Sequence, residues 1–145
     1  MYLLRALVVW LVIVAFESAH GTLRELFLAP LVGDFRARQV AVFTGSLLIL
    51  ALSYLFVRWL RAATTVRLLA VGALWLCLTL LFEFGLGLFV LGYSWERLAS
   101  DYDLSRGALM PFGLVLLTLA PLIAARLRGL KTGSPPRAEV CARRV

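Results

Sequence analysis

Two acidic side chains stand where acids are costly. Glu17 lies near the end of an apolar run over residues 3–19, and Glu83 is the single charge in a second run over residues 68–93. If those runs cross a bilayer, an ionisable group inside one marks a ligand, ion or proton site unless a partner neutralises it. Glu17, His20, Gly21 and Arg24 fall at i, i+3, i+4 and i+7, which is one stripe of a helix. The chemistry open to such a stripe is proton exchange, cation binding, or acid–base work by Glu17 and His20 on a lipid headgroup.

Other chemistries are poorly supplied. Glu17-x-x-His20 has the i, i+3 spacing of one di-iron ligand pair, but that site needs a second pair and His20 is the only histidine. No metal is expected, and a haem held by two histidines of one chain is excluded. There is no Ser–His–Asp pattern and no glycine-rich phosphate loop, so no cofactor is expected. The two cysteines, Cys77 and Cys141, form no C-x-x-C pair. Cys141 falls in a tail that belongs in a reducing compartment, so a disulfide is not expected.

The elements that must position these groups follow from composition. The chain has 145 residues, 62% of them hydrophobic, and a mean hydropathy of +0.93. Soluble domains are about 45–50% apolar, and so short a chain cannot enclose the surplus in one aqueous core. Four apolar runs carry it, over residues 3–19, 39–57, 68–93 and 107–125. A spanning helix needs about 20 mostly apolar residues. The expected fold is therefore all-α: a polytopic membrane protein with a four-transmembrane-helix bundle in residues 1–130. The helices are expected near residues 3–24, 39–60, 68–92 and 107–127. Residues 131–145, basic and broken by Gly133, Pro135 and Pro136, read as a disordered cytoplasmic tail.

The first run could be a signal peptide. Its n-region holds only Arg5 and no small-x-small cleavage site follows, so a retained helix is expected. Residues 21–38 are longer than a hairpin needs. Leu23, Leu26, Phe27, Leu31 and Val32 recur at helical spacing there, which points to a helix extension or an interfacial helix broken by Pro30 and Gly33. Pro111 suits the first turn of helix 4, while Pro121 should kink it. Gly45, Ser46, Gly72, Ala73, Gly85 and Gly113 would let helices approach closely. Trp10, Phe43, Trp75 and Phe84 are expected to pack or to face lipid.

Lysine and arginine set the orientation. Ten of them lie on the side that carries the termini and five on the other. The positive-inside rule then puts both ends in the cytoplasm. The net charge of +7 follows from these anchors and does not imply nucleic-acid binding. Glu25, Asp34, Glu96, Asp101 and Asp103 gather on the outer side.

With helix 1 running outwards, Glu17 lies about 18 Å along it, and Glu83 about 22 Å along helix 3. Both therefore belong to the outer half. Arg24, Arg38 and Gln39 reach the same level, and Tyr93, Trp95, Glu96, Asp101 and Tyr102 follow helix 3 as a roof. The expected polar cluster is Glu17, His20, Arg24, Arg38, Gln39, Glu83, Trp95, Glu96, Asp101 and Tyr102. Its plainer role is to tie helix ends together, with an arginine reaching down to each glutamate, because buried charges pair. On that role Glu83→Gln mainly lowers stability or expression. Its sharper role is to bind a ligand.

Two stretches carry a resemblance. One runs from Glu17-Ser-Ala-His20 through Gly21-Thr-Leu-Arg24-Glu25 to Pro30. The other runs from Phe82-Glu83-Phe84-Gly85 to Trp95-Glu96-Arg97-Leu98 and Asp101-Tyr102-Asp103. They resemble a set of small uncharacterised bacterial inner-membrane proteins with four helices. In those proteins a G-x-x-R-E stretch follows helix 1 and F-E-F sits in helix 3; this chain departs at Asp103, where that pattern has asparagine. The resemblance implies the four-helix layout and no activity. Small multidrug transporters also carry a helix 1 glutamate but have weak charge bias, and the Arg/Asn/Glu pattern of membrane-bound glutathione enzymes is missing. The expectation is a multi-pass bacterial inner-membrane protein, more an accessory or binding protein than an enzyme, meeting a lipid or a membrane-protein partner through the outer cluster. A small transporter using Glu17 and Glu83, or a lipid-headgroup enzyme, is the alternative.

Overall fold

Why these residues become helices is settled by the absence of water-friendly alternatives. Long apolar runs can bury their backbone polar groups only by bonding them internally. The computed structural model describes residues 1–62 and 64–130, and the tail expected over residues 131–145 lies outside them. The described residues are helical with no strand among them. Helix α1 spans Tyr2–Leu23, passes through a π-helical turn at Arg24–Leu28 and continues as the short α2, Ala29–Val32. Helix α3 spans Asp34–Leu60. Helix α4 spans Thr65–Gly85 and ends in a second π-helical turn, Leu86–Val90. The connection to the last helix holds α5, Trp95–Ser100, and a 3₁₀ turn, Leu104–Arg106. Helix α6 spans Met110–Leu127.

Several boundaries differ from the sequence expectation. The helix extension expected within residues 21–38 runs on to Val32, and α3 begins at Asp34, so the segment holds one break in place of the two expected at Pro30 and Gly33. Gly33 makes that break alone, with φ 87° and ψ 150°, a conformation open to glycine. Pro30 does not interrupt the chain, because it falls in the first turn of α2, where no N–H is needed. The third span starts at Thr65, with the Thr64 hydroxyl accepting the Arg67 N–H, and the fourth starts at Met110. Pro111 takes the first turn of α6 as expected, and α6 continues unbroken through a buried Pro121.

Four helices are long and apolar enough to cross a membrane: Tyr2–Val32, Asp34–Leu60, Thr65–Val90 and Met110–Leu127. At most 28% of the most apolar stretch of each is buried, so most of that apolar surface faces outward. Phe43, Leu47, Leu55, Leu81 and Phe112 lie exposed along the spans. In water this would be an aggregating surface; in lipid it is the solvent-facing one.

The helices pack in a ring, α1 against α3, α3 against α6, α6 against α4, and α4 against α1. The core lies towards the end that carries the termini. It gathers Ala6, Val9, Trp10, Ile13, Leu52, Val71, Trp75 and Leu117, and a smaller cluster of Val57, Ala62, Leu68, Ala124 and Ala125 seals that end. Each core tryptophan finds a partner for its N–H, as buried indoles require. Trp75 donates to the Ala6 carbonyl at 2.8 Å, and Trp10 to the Thr79 hydroxyl at 3.0 Å. Beyond this packed half the helices no longer fill the space between them.

Candidate functional site

That unfilled space is a cavity of about 700 Å³ lined by all four spanning helices. Its volume falls within the usual range for small-molecule sites, about 300–1,000 Å³. Eight of the ten residues expected from sequence line it: Glu17, His20, Arg24, Arg38, Gln39, Glu83, Asp101 and Tyr102. The other two, Trp95 and Glu96, do not. Ser94 caps α5 by accepting the Arg97 N–H, which sets the helix so that Leu98 turns inward while Trp95 stays 66% exposed. Trp95 instead packs its ring against Phe84, 5.9 Å between centroids.

On α1 the helical stripe places His20 one turn beyond Glu17. His20 Nδ1 lies 3.6 Å from Glu17 Oε2, and His20 Nε2 lies 2.8 Å from Thr44 Oγ1 on α3. Thr44 donates its own proton to the Val40 carbonyl at 3.1 Å. His20 thus joins α1 to α3, with Nε2 at the Thr44 hydroxyl and Nδ1 towards Glu17. The other carboxylate oxygen, Oε1, is enclosed and takes no hydrogen bond. Gly45 makes the close approach possible, since a Cβ there would stand 2.8 Å from Glu17 Oε2.

On α4, Glu83 Oε2 accepts the Tyr102 hydroxyl at 3.0 Å. The Tyr102 ring stacks on Phe84 with 13° between planes. Burial, then the Glu83 charge and its hydrogen bond, push the Tyr102 phenol well above its ordinary range. Tyr102 therefore stays a proton donor to Glu83 at any physiological pH.

The arginines are spoken for elsewhere. Arg24 binds Glu25 at 2.7 Å. Arg38 binds Asp34 at 3.0 Å and also pairs with Asp101. The expected arrangement, an arginine reaching down to each span glutamate, is therefore not what forms: neither Glu17 nor Glu83 has an arginine partner among the described residues. The Arg38–Asp101 pair instead ties the connection between α4 and α6 to α3. Gln39 adds a second tie to α3 by donating to the Gly107 carbonyl at 2.9 Å, while Tyr102 ties the connection to α4 through Glu83.

Sequence reasoning missed Thr44, Gly45 and Phe84 as parts of the site. A signal for the first two was present, because Thr44-Gly45-Ser46 interrupts the otherwise apolar middle of α3. Among the described residues no three His, Cys, Asp or Glu side chains converge to hold a metal ion.

Fold and cavity together define the class: an all-helical chain with four candidate membrane spans and an acidic, apolar-walled cavity among them. No family model matches the chain, and no curated protein or solved structure is significantly similar to it.

Proposed function

We propose that this chain is a multi-pass bacterial inner-membrane protein with both termini in the cytoplasm, and that its outer half binds a small ligand in the cavity. One observation carries the binding role: Glu17 and Glu83, on two different spans and without arginine partners, open onto the same space. A purely structural pair would be closed by its counter-charges. The walls are mostly apolar with a few convergent polar groups, which is the usual make-up of a ligand site.

Charge placement supports the orientation. The described residues at the end carrying the termini include Arg5, Arg58, Arg61, Arg67, Arg126 and Arg128 and no acid, whereas every described acid lies in the other half. Positive residues are retained on the cytoplasmic side. A second role, transport, draws on the same two glutamates, which line one space from two different spans.

Two experiments test the proposal. In spheroplasts, an impermeant maleimide should label Ser100→Cys in a Cys77→Ser, Cys141→Ser background. It should label native Cys141 of the Cys77→Ser protein only after permeabilisation. The opposite pattern rejects the orientation. For binding, native mass spectrometry of protein released from micelles should show a retained small molecule, and Ser46→Phe, which fills part of the cavity, should abolish it. A bare wild-type spectrum, or an adduct indifferent to that substitution, rejects the cavity as a binding site.

A further inference from the structure

Charge balance inside the cavity deepens that proposal, on which it rests, by naming the ligand class. Of the cations lining the space, Arg24 is held by Glu25, and Arg38 by Asp34 and Asp101. Of the acids, Glu17 and Glu83 face the space with no arginine partner among the described residues; Glu17 lies beside His20, and Glu83 accepts from Tyr102. Glu17 Oε1 is enclosed with no hydrogen-bond donor at all. Around them stand Ile13, Val14, Ile49, Phe82, Leu114 and Leu117. Two carboxylates in surroundings of low polarity attract a cation far more strongly than they would in water. The apolar walls cannot hydrate a small inorganic ion, but they suit a hydrocarbon body. Phe84 adds apolar surface to the lining.

We propose that the cavity binds a lipophilic organic cation, its positive centre between Glu17 and Glu83 and its apolar body among the side chains of the four spans. A neutral lipid tail would leave both carboxylates without a counter-charge, and an anionic headgroup would meet two like charges. The cation is attracted by both acids, which stand on different spans and line the same space.

The test uses two ions of the same shape and opposite charge, tetraphenylphosphonium and tetraphenylborate, titrated by calorimetry into the full-length protein in an uncharged detergent, with empty micelles as blank. The expected result is at least tenfold tighter binding of the phosphonium. Glu17→Gln with Glu83→Gln should remove that preference. The wild-type comparison decides the charge selection even where the double variant fails to fold. Equal binding of the two ions, or tighter binding of the borate, overturns the cation inference while leaving a binding cavity intact. Binding of neither ion, beside a native-mass adduct lost in Ser46→Phe, overturns it in the same way. A preference that survives the double substitution overturns the role given to the two glutamates. Absence of any adduct and any binding rejects the cavity reading as a whole.

Discussion

A close approach of two helices in the bundle can be tested with one methyl group. Gly72 on α4 faces the backbone of α6, and a Cβ placed on it would stand 1.8 Å from the Thr118 carbonyl oxygen, 2.7 Å from its carbon and 3.1 Å from its Cα. All three atoms are backbone, so no side-chain rotamer can relieve the overlap. Restoring an ordinary contact of about 3.4 Å requires the helices to separate locally by about 1.6 Å. That separation would loosen Val71 and Trp75, both fully buried, and Leu117, 2% exposed. Overpacking of this kind costs about 1–3 kcal/mol, which corresponds to a melting temperature lower by about 3–10 °C for a chain of this size.

The assay is thermal melting of purified Gly72→Ala in detergent, followed by circular dichroism, with two glycine controls. At Gly21 a new Cβ meets nothing within 4 Å, and at Gly113 it meets Val42 Cγ1 at an ordinary 3.5 Å. Neither Gly21→Ala nor Gly113→Ala should melt below the wild type. If Gly72→Ala melts within about 1 °C of wild type, or all three variants fall together, the close approach of α4 and α6 is refuted.

Other expectations follow from single contacts. Spectrophotometric titration of the four tyrosines should show one phenol that resists ionisation well above the ordinary tyrosine range, and Glu83→Gln should bring it down part of the way, because the charge goes and the burial stays. The same substitution keeps an oxygen for the Tyr102 hydroxyl and strands no arginine, so its effect on melting should be about 1 kcal/mol or less, rather than the marked loss expected of a severed ion pair. Trp75→Phe removes the N–H bonded to Ala6 and leaves a void in the core, and should lower stability by about 2–4 kcal/mol, measured by the same melt. Asp103 is held below the ordinary aspartate range, first by the Ser105 hydroxyl. What it adds to the 104–106 turn is present above the unfolded aspartate pKa and is lost as pH falls through the lowered value. The Ser105 amide resonance should therefore titrate at a pH below that of an ordinary aspartate, and a midpoint at or above it would refute the cap.

How much of this was legible in the sequence depends on the range of the interaction. The four spans were legible because a 20-residue apolar run has few other ways to satisfy its backbone. Their ends were not. Charges at Arg24, Glu25, Asp34, Arg36 and Arg38 imitate a loop, yet the backbone stays helical on both sides of Gly33, since these long side chains reach outward or pair locally. That Glu17 and Glu83 would reach the same space between the helices was legible from residue counting. That Glu17 would sit against Gly45 and His20 against Thr44 was not, because those contacts depend on how α3 is rotated about its axis. Trp95 and Glu96 were assigned by height alone, and the rotation of α5 fixed by its Ser94 cap took them out of the lining.

The unpaired state of the two span glutamates has a cause of its own. An arginine near a membrane surface pairs with the acid that is cheapest to reach. For Arg24 that is its neighbour Glu25, and for Arg38 it is Asp34 one turn back and Asp101 in the connection above. All three acids stand beside these arginines in the chain or in the connection, and pairing there removes less water than reaching in to Glu17 or Glu83 would. The outer half also holds more acids than arginines: Glu17, Glu25, Asp34, Glu83, Glu96, Asp101 and Asp103 against Arg24, Arg36, Arg38, Arg97 and Arg106. Arg97 is further engaged over the Tyr93 ring, and Arg106 with Asp103. Once those pairs have formed, the acids left without an arginine are exposed Glu96 and, in the cavity, Glu17 and Glu83. The same charge pattern that pairs the rim thus leaves two acids of the cavity without counter-charges, the surplus on which the proposed cation site rests.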